Sequence, residues 1–318
     1  MSQETMIQVD DLKKDYGSTQ ALRGISFEVH RGEVLGFLGP NGAGKTTTMK
    51  ILTCYMAPTS GTAFVGTHSV TEASLSVRQQ IGYLPEDTPI YSDMTTLEFL
   101  EFVANIRQVA PDTRTRRLRE LVGVCGLTDV LAKPVGDLSK GFRQRVGLAQ
   151  ALIHDPPILI FDEPTSGLDP LQRIEVRTLL GELADEHTVL ISSHILPEVQ
   201  ATCGRVIIIS AGQLVADGTP QELSAQDADN AVRLLLDPGD TARDEVDTKL
   251  LGIDGVSKVS DVEGENGALG LMVASDGDRD LRRDLFGCAR DNGWVLLEMQ
   301  RQAASLEDVF RKLTRTES

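Results

Sequence analysis

Three features of this 318-residue chain predict an α/β fold built around a mainly parallel sheet, with a smaller α+β module behind it. The apolar run VLGFL (Val34 to Leu38) leads directly into GPNGAGKTT (Gly39 to Thr47) and then into the helix-like TTMKILTCYM. A second run, ILIFDEP (Ile158 to Pro164), sets four apolar residues ahead of Asp162 and Glu163. Past DGTPQEL, near Gly218 to Leu223, such motifs stop and a different alternation begins. Runs that are apolar throughout are how strands buried on both faces read, and such strands deliver polar residues at their carboxyl ends.

The elements follow in chain order. Residues from about Ile7 to Phe64 alternate strands, among them the alternating ISFEVH (Ile25 to His30), with the glycine-rich loop and its helix. Residues from about Ile158 to Val215 repeat strand and helix patterns around the acidic pair, His194 and VIIIS, so the two stretches are expected to form one α/β core. Between them, Met94 to Leu152 reads as an inserted, mainly helical region of about residues 94–152. Thr95 and Glu98 have capping-box spacing ahead of Phe99, Leu100, Phe102 and Val103. The tail predicts a strand at VRLLL, a helix over Asp244 to Leu251, strands near Val256 to Val262 and Leu269 to Val273, a helix over Arg279 to Asn292, and a strand at WVLLEM. That β-α-β-β-α-β order suggests a ferredoxin-like module, with SLEDVFRKLT as a final helix. The expected domains are therefore residues 1–220 and 221–318.

The loop at Gly39 carries the chemistry. Glycines 39, 42 and 44 let backbone N–H groups line a concave anion site at a helix start, whose dipole adds to it. Lys45 is placed to reach the β and γ phosphates of a nucleoside triphosphate, and Thr46 to offer a hydroxyl to Mg²⁺. With Asn41 and Thr47 these residues form the candidate nucleotide site. Asp162 would hold Mg²⁺ through water, and Glu163 would face the γ-phosphate and orient or deprotonate the attacking water.

Between the two motifs lies LSKGFRQR (Leu138 to Arg145), followed by VGLAQALIHDP, and in this order the chain resembles the ATP-binding subunits of ABC transporters. The resemblance covers about Ile7 to Leu223. It implies that the core is a phosphate-loop NTPase of the ABC ATPase type and that the helical insert carries the signature and touches the membrane subunit. It also implies that Ser139 and Gly141 bind the γ-phosphate of ATP held by an opposite subunit. SGLD (Ser166 to Asp169) matches the loop that connects the two ATP sites across a dimer, so Asp169 joins the binding set. His194, in VLISSHIL, matches the histidine that contacts the γ-phosphate, and Tyr16 the aromatic on which adenine stacks. Two positions depart from the family pattern. Lys140 stands for the first of two adjacent glycines in the signature, with Phe142 for its glutamine, and Glu86, in GYLPED, stands where most relatives have a glutamine. A carboxylate there can still contact Mg²⁺ or its waters with a full charge.

Composition bounds the partners. No run of eighteen apolar residues is present, so the chain is not expected to span a membrane, and MSQETMIQVDD has neither a basic start nor an apolar core. Cys54, Cys125, Cys203 and Cys288 lack metal-ligand spacing and read as small core residues of a reducing compartment. A net charge of −16 argues against general affinity for nucleic acid. The Arg114, Arg116, Arg117 and Arg119 cluster reads as a solvated helix face with acidic partners, or as a contact for anionic lipid headgroups. The segment from Gln221 on holds twenty-one acidic and twelve basic residues and so supplies nine of the sixteen net negative charges. No catalytic cluster is visible there, and regulation, dimer contacts and partner docking stay open.

The expected function is that of an ATP-hydrolysing subunit, dimerising with a second copy and powering a separate membrane permease of the exporter type from the cytoplasmic face. Members that share GYLPE, LSKG and a SLEDVF helix are often the energising half of exporters, including ones associated with gliding motility. Two alternatives stay open at this point: a soluble ABC-type ATPase that remodels ribosomes or nucleic acid, and a regulator that binds nucleotide without hydrolysing it.

Overall fold

The computed structural model describes residues 4–184, 186–226, 231–264, 268–276, 279–302 and 306–314. The chain divides into two compact units, Met1–Pro220 and Gln221–Thr316. The first contains β1 (Thr5–Tyr16), β2 (Thr19–His30), β3 (Val34–Leu38), α1 (Lys45–Leu52), β4 (Ser60–Val65), β5 (His68–Ser69), α2 (Ser74–Gln80) and β6 (Ile81–Leu84). The helical insert follows as α3 (Thr96–Ile106), α4 (Pro111–Val124) and α5 (Lys140–Leu152). The chain then returns as β7 (Ile158–Asp162), α6 (Pro170–Ala184), β8 (Thr188–Ser193), α7 (Leu196–Thr202), β9 (Arg205–Ser210) and β10 (Gln213–Gly218).

Six strands make the sheet that matters for chemistry, in the order β10-β9-β3-β8-β7-β6. Its pairs from β9 to β6 are parallel, with Leu38 opposite Ser193 and Asp162 opposite Ser192. Parallel strands present all their carboxyl ends on one edge, where ligands of open α/β sheets bind. Strand β7 is buried at all five positions, as its uninterrupted apolar run requires.

The single α/β core expected from Ile7–Phe64 and Ile158–Val215 is corrected in one respect. Strands β1, β2, β4 and β5 form a separate four-stranded antiparallel sheet, ordered β2-β1-β4-β5. The burial of β2 alternates along Ile25, Phe27 and Val29, the mark of a strand with one solvated face. Both sheets nevertheless share one apolar cluster, in which Val9, Phe27 and Val65 join Met49 and Ile51 of α1, Ile160 of β7 and Ile207 of β9.

In the insert, α3 starts as its sequence predicts: Thr95 accepts from the Glu98 N–H, and Glu98 accepts from the Thr95 N–H at 2.9 Å. The arginine-rich α4 is a solvated face with acidic neighbours. Arg116 and Arg117 approach Glu120 at 3.8 and 3.6 Å, Arg117 pairs with Asp155 at 2.7 Å, and Arg114 donates to the Val109 carbonyl. All four cysteines are free; Cys125 and Cys203 are buried, and burial pushes each thiol up to about 12.

After α8 (Pro220–Gln226), the second unit runs β11 (Ala231–Asp237), α9 (Arg243–Leu251), β12 (Val256–Val262), β13 (Leu269–Ser275), α10 (Arg282–Asp291), β14 (Val295–Gln302) and α11 (Leu306–Thr314). Its sheet, ordered β12-β13-β11-β14 and antiparallel throughout, is the ferredoxin-like arrangement. Val232, Leu234 and Leu236, alternate residues of one strand, pack on Val246, Leu250, Leu285 and Trp294.

Candidate functional site

Four strand ends converge. The loop after β3 winds into α1, Asp162 ends β7 with Glu163 next to it, His194 follows β8, and Glu86 follows β6. Asn41, Gly42, Gly44, Lys45, Thr46, Thr47, Glu86, Glu163 and His194 line one cleft of about 370 Å³. The alternation of apolar strand and polar terminus seen in the sequence thus becomes a single polar edge.

The glycines of the loop are required by close approach and by conformation. A methyl group on Gly39 would fall 2.4 Å from the Ile209 carbonyl oxygen. Gly44 caps α1 with φ +113°, and a methyl group there would lie 2.8 Å from the Ala21 carbonyl oxygen. Left-handed backbone of this kind is open to glycine and strained for other residues. The loop therefore presses directly onto β9 and β2, which fixes where its N–H groups point.

Lys45 is only 5 % exposed, and its ammonium donates to the Gly39 carbonyl at 2.8 Å and the Pro40 carbonyl at 3.2 Å. It also lies 3.2 Å from a carboxylate oxygen of Glu163, itself 5 % exposed. Glu163 has φ +50°, a left-handed conformation, and its N–H is held by the backbone oxygen and the hydroxyl of Ser192. The Nδ1–H of His194 donates to the other Glu163 oxygen at 2.8 Å, which fixes the tautomer and leaves Nε2 free to face a ligand. One buried carboxylate is thus oriented by a cation on one side and an imidazole on the other.

Asp162 is wholly buried. Its Oδ1 accepts from Thr46 Oγ1 at 3.2 Å and from the Ser192 hydroxyl, whereas its Oδ2 is buried with no hydrogen-bond partner among the described residues. Burial raises its carboxyl above the ordinary range, against the Ser192 and Thr46 hydrogen bonds that lower it. An orphaned carboxylate oxygen beside a threonine hydroxyl suits a hard divalent cation, which would satisfy the oxygen and reverse the burial penalty. The residues present therefore fit Mg²⁺. Glu86, exposed, lines both this cleft and a neighbouring one of about 400 Å³ that Thr46, Asp162, Tyr83 and Gln150 also line.

Four residues anticipated from the sequence stand elsewhere. Ser139 caps α5, accepting from the Phe142 N–H, and Gly141 lies in the first turn of that helix. Asp169 accepts from the Gln172 N–H at the start of α6. Tyr16 ends β1, 47 % exposed, with its hydroxyl on Met56 Sδ at 3.0 Å and the Lys14 ammonium 5.5 Å above its ring. None of the four lines the cleft. Ser192, by contrast, was not singled out from the sequence although it holds both Asp162 and Glu163; its signal was the serine pair directly before His194.

Comparison with known proteins agrees with this geometry. Residues 22–166 match the family model described as ABC transporter. Over 97 % of its length the chain is 35 % identical to the ABC transporter ATP-binding protein YxlF of Bacillus subtilis, covering 99 % of that protein. It is 30 % identical to the linearmycin resistance ATP-binding protein LnrL of Bacillus subtilis, over 97 % of this chain and 98 % of that one. Among solved structures, the dimeric bacterial ABC transporter cassette MJ0796 superposes with a TM-score of 0.62 at 25 % identity, over 67 % of this chain and 98 % of that one. No described helix is long and apolar enough to cross a membrane. With a phosphate loop, an oriented carboxylate and full-length kinship all in place, the chain belongs to the ABC transporter ATP-binding proteins and is an ATPase subunit of that family.

Proposed function

We propose that this chain is the energising subunit of an exporter: two copies enclose two ATP molecules, and their closing and opening drive a separate integral membrane permease from the inner face of the membrane. The observation that carries the reading is a divided site. Asn41, Gly42, Gly44, Lys45, Thr46 and Thr47, on the floor supplied by Gly39, would hold the phosphates of ATP from one copy. Ser139 and Gly141, at a helix start outside that cleft, and Asp169 beside them would reach the same nucleotide only from a second copy. The dimeric state named for the MJ0796 cassette and the resistance named for LnrL support the homodimer and the export direction respectively.

Within the site each side chain has a task. Tyr16, at the exposed end of β1, would stack on adenine. Thr46 and Asp162 would hold Mg²⁺, with Glu86 reaching the ion or its waters; when bound, the ion offsets phosphate charge. Glu163 accepts the proton of the attacking water, and its backbone strain together with its Lys45 and His194 contacts keeps the carboxylate aimed. His194 presents Nε2 to the γ-phosphate. In this reading the nucleotide and a protein partner, not nucleic acid, are what the chain binds.

Glu163→Gln should lower ATP turnover roughly 10²-fold or more, since positioned proton transfer commonly contributes that much, while ATP binding is retained. The same variant tests the partner. Captured with ATP from detergent-solubilised cells, it should retain an integral membrane protein with about six spanning helices. Ribosomal proteins or nucleic acid in place of a membrane protein would overturn the transporter reading in favour of a remodelling ATPase.

A further inference from the structure

Tyr83 carries a polar atom that the site described above leaves unused. It stands on β6 opposite Ile160 of β7 in the parallel pairing, and Asp162, two residues past Ile160, shares that face of the sheet. Its ring packs against the apolar cluster that the two sheets share. Packing accounts for the ring but not for the hydroxyl, which is buried with no hydrogen-bond partner among the described residues. Phenylalanine would fill the same place without desolvating an O–H group. The hydroxyl therefore needs a partner that the described side chains do not supply.

Asp162 Oδ2 is its complement, an acceptor buried without a partner. Both residues line the cavity of about 400 Å³, together with Thr46 and Lys50, four apart on α1, and no other described residue with an orphaned polar atom lines it. Burial, with the Asp162 charge adding to it, raises the Tyr83 phenol well above its ordinary value, so it stays protonated and can act as a donor at neutral pH. The two orphans are not bonded to each other, yet a donor and an acceptor border one space that has polar walls and room for water. A water held between them would satisfy both at little entropic cost, with the Mg²⁺ that Thr46 and Asp162 would bind as its third partner.

We propose that Tyr83 is a positioning residue for the metal: its O–H donates to a water that Asp162 Oδ2 also holds, and so fixes that water in the hydration shell of the bound Mg²⁺. This rests on the reading of Thr46 and Asp162 as the metal's holders. The hydroxyl touches neither nucleotide nor ion; it acts through the water and Asp162, as outer partners orient the ligands of a metal. A neutral donor orders a water and leaves the charge of the site unchanged, which sets Tyr83 apart from Glu86, three residues further on.

The test is ATP binding by full-length Glu163→Gln protein, with and without Tyr83→Phe, measured by equilibrium dialysis in excess Mg²⁺ and again in EDTA. Tyr83→Phe removes only the hydroxyl and keeps the ring in the core. The ratio of the two dissociation constants isolates the metal's contribution. Tyr83→Phe should shrink that ratio about fivefold, the effect of one hydrogen bond, with affinity in EDTA within about twofold. An unchanged ratio would overturn the proposal and leave the metal site standing. Equal loss of affinity with and without Mg²⁺ would make the hydroxyl a general support of the nucleotide site and overturn the proposal as well. Binding that ignores Mg²⁺ even with Tyr83 intact would overturn the metal reading and this proposal together.

Discussion

Glu86 is the residue whose replacement most directly reads the proposed metal site, because it adds a full negative charge where the family pattern has a neutral amide. It lines the cleft with Thr46, Thr47 and Glu163 and the adjacent one with Asp162. Exposure makes it an outer contact, so it should tune the ion more than hold it. Glu86→Gln should raise the Mg²⁺ concentration for half-maximal hydrolysis about threefold or more, through loss of one carboxylate charge from the ligand field. A Mg²⁺ titration at saturating ATP decides this, and an unmoved midpoint and rate would remove Glu86 from the metal's surroundings. Much of the site was legible at this scale. A phosphate loop is a local object, in which spacing along the chain already dictates backbone geometry. Ser192 was not legible, because its role depends on which segments meet: it reaches back thirty residues to Asp162.

Elements make separate predictions about stability. The Thr95 capping box satisfies two N–H groups that helix α3 would otherwise leave open. Thr95→Ala should cost about 1 kcal/mol, and Thr95→Ser very little, as a shift of the urea midpoint will report. His154, after α5, donates from Nε2 to the Ile81 carbonyl of β6. Burial, with the charge of Arg107 adding to it, lowers its pKa from 6.5 to about 4. The unfolded chain therefore binds the extra proton first as pH falls below about 6.5, and stability drops progressively until about pH 4. Between about pH 7 and pH 5 the loss should be on the order of 1 kcal/mol, allowing for solvent screening at this half-buried ring. His154→Gln, which keeps a donor, should flatten that acid limb in urea titrations across pH; an unchanged slope would show that other groups set it. At the element scale the strands were readable but their partners were not. Alternation in Ile25–Val29 against the uninterrupted Ile158–Phe161 distinguishes a one-faced strand from a doubly buried one. That contrast is present in the sequence but did not by itself separate the two sheets, because pairing between β1 and β4 spans about fifty residues and has no local signature.

For the whole molecule, charge opposes assembly. Each copy carries −16, and nine of those charges come from the ferredoxin-like unit and its flanks, whose sequence boundary is visible as the end of the nucleotide motifs. Two such bodies repel over distances comparable to the Debye length, about 30 Å at 0.01 M salt and about 8 Å at 0.15 M. Contacts that would close the dimer act differently. In the proposed dimer Ser139 and the backbone of Gly141 would touch a phosphate at hydrogen-bond range, and salt would weaken such short contacts less than it weakens the long-range repulsion. ATP-dependent dimerisation of the Glu163→Gln protein should therefore tighten several-fold as NaCl rises from about 0.02 M to about 0.15 M. Sedimentation at fixed ATP and Mg²⁺ measures it. Weakening over that range would mean that complementary charges at the interface outweigh the net repulsion, and would direct attention to lysines and arginines, Lys140 among them, as attractive contacts in their own right.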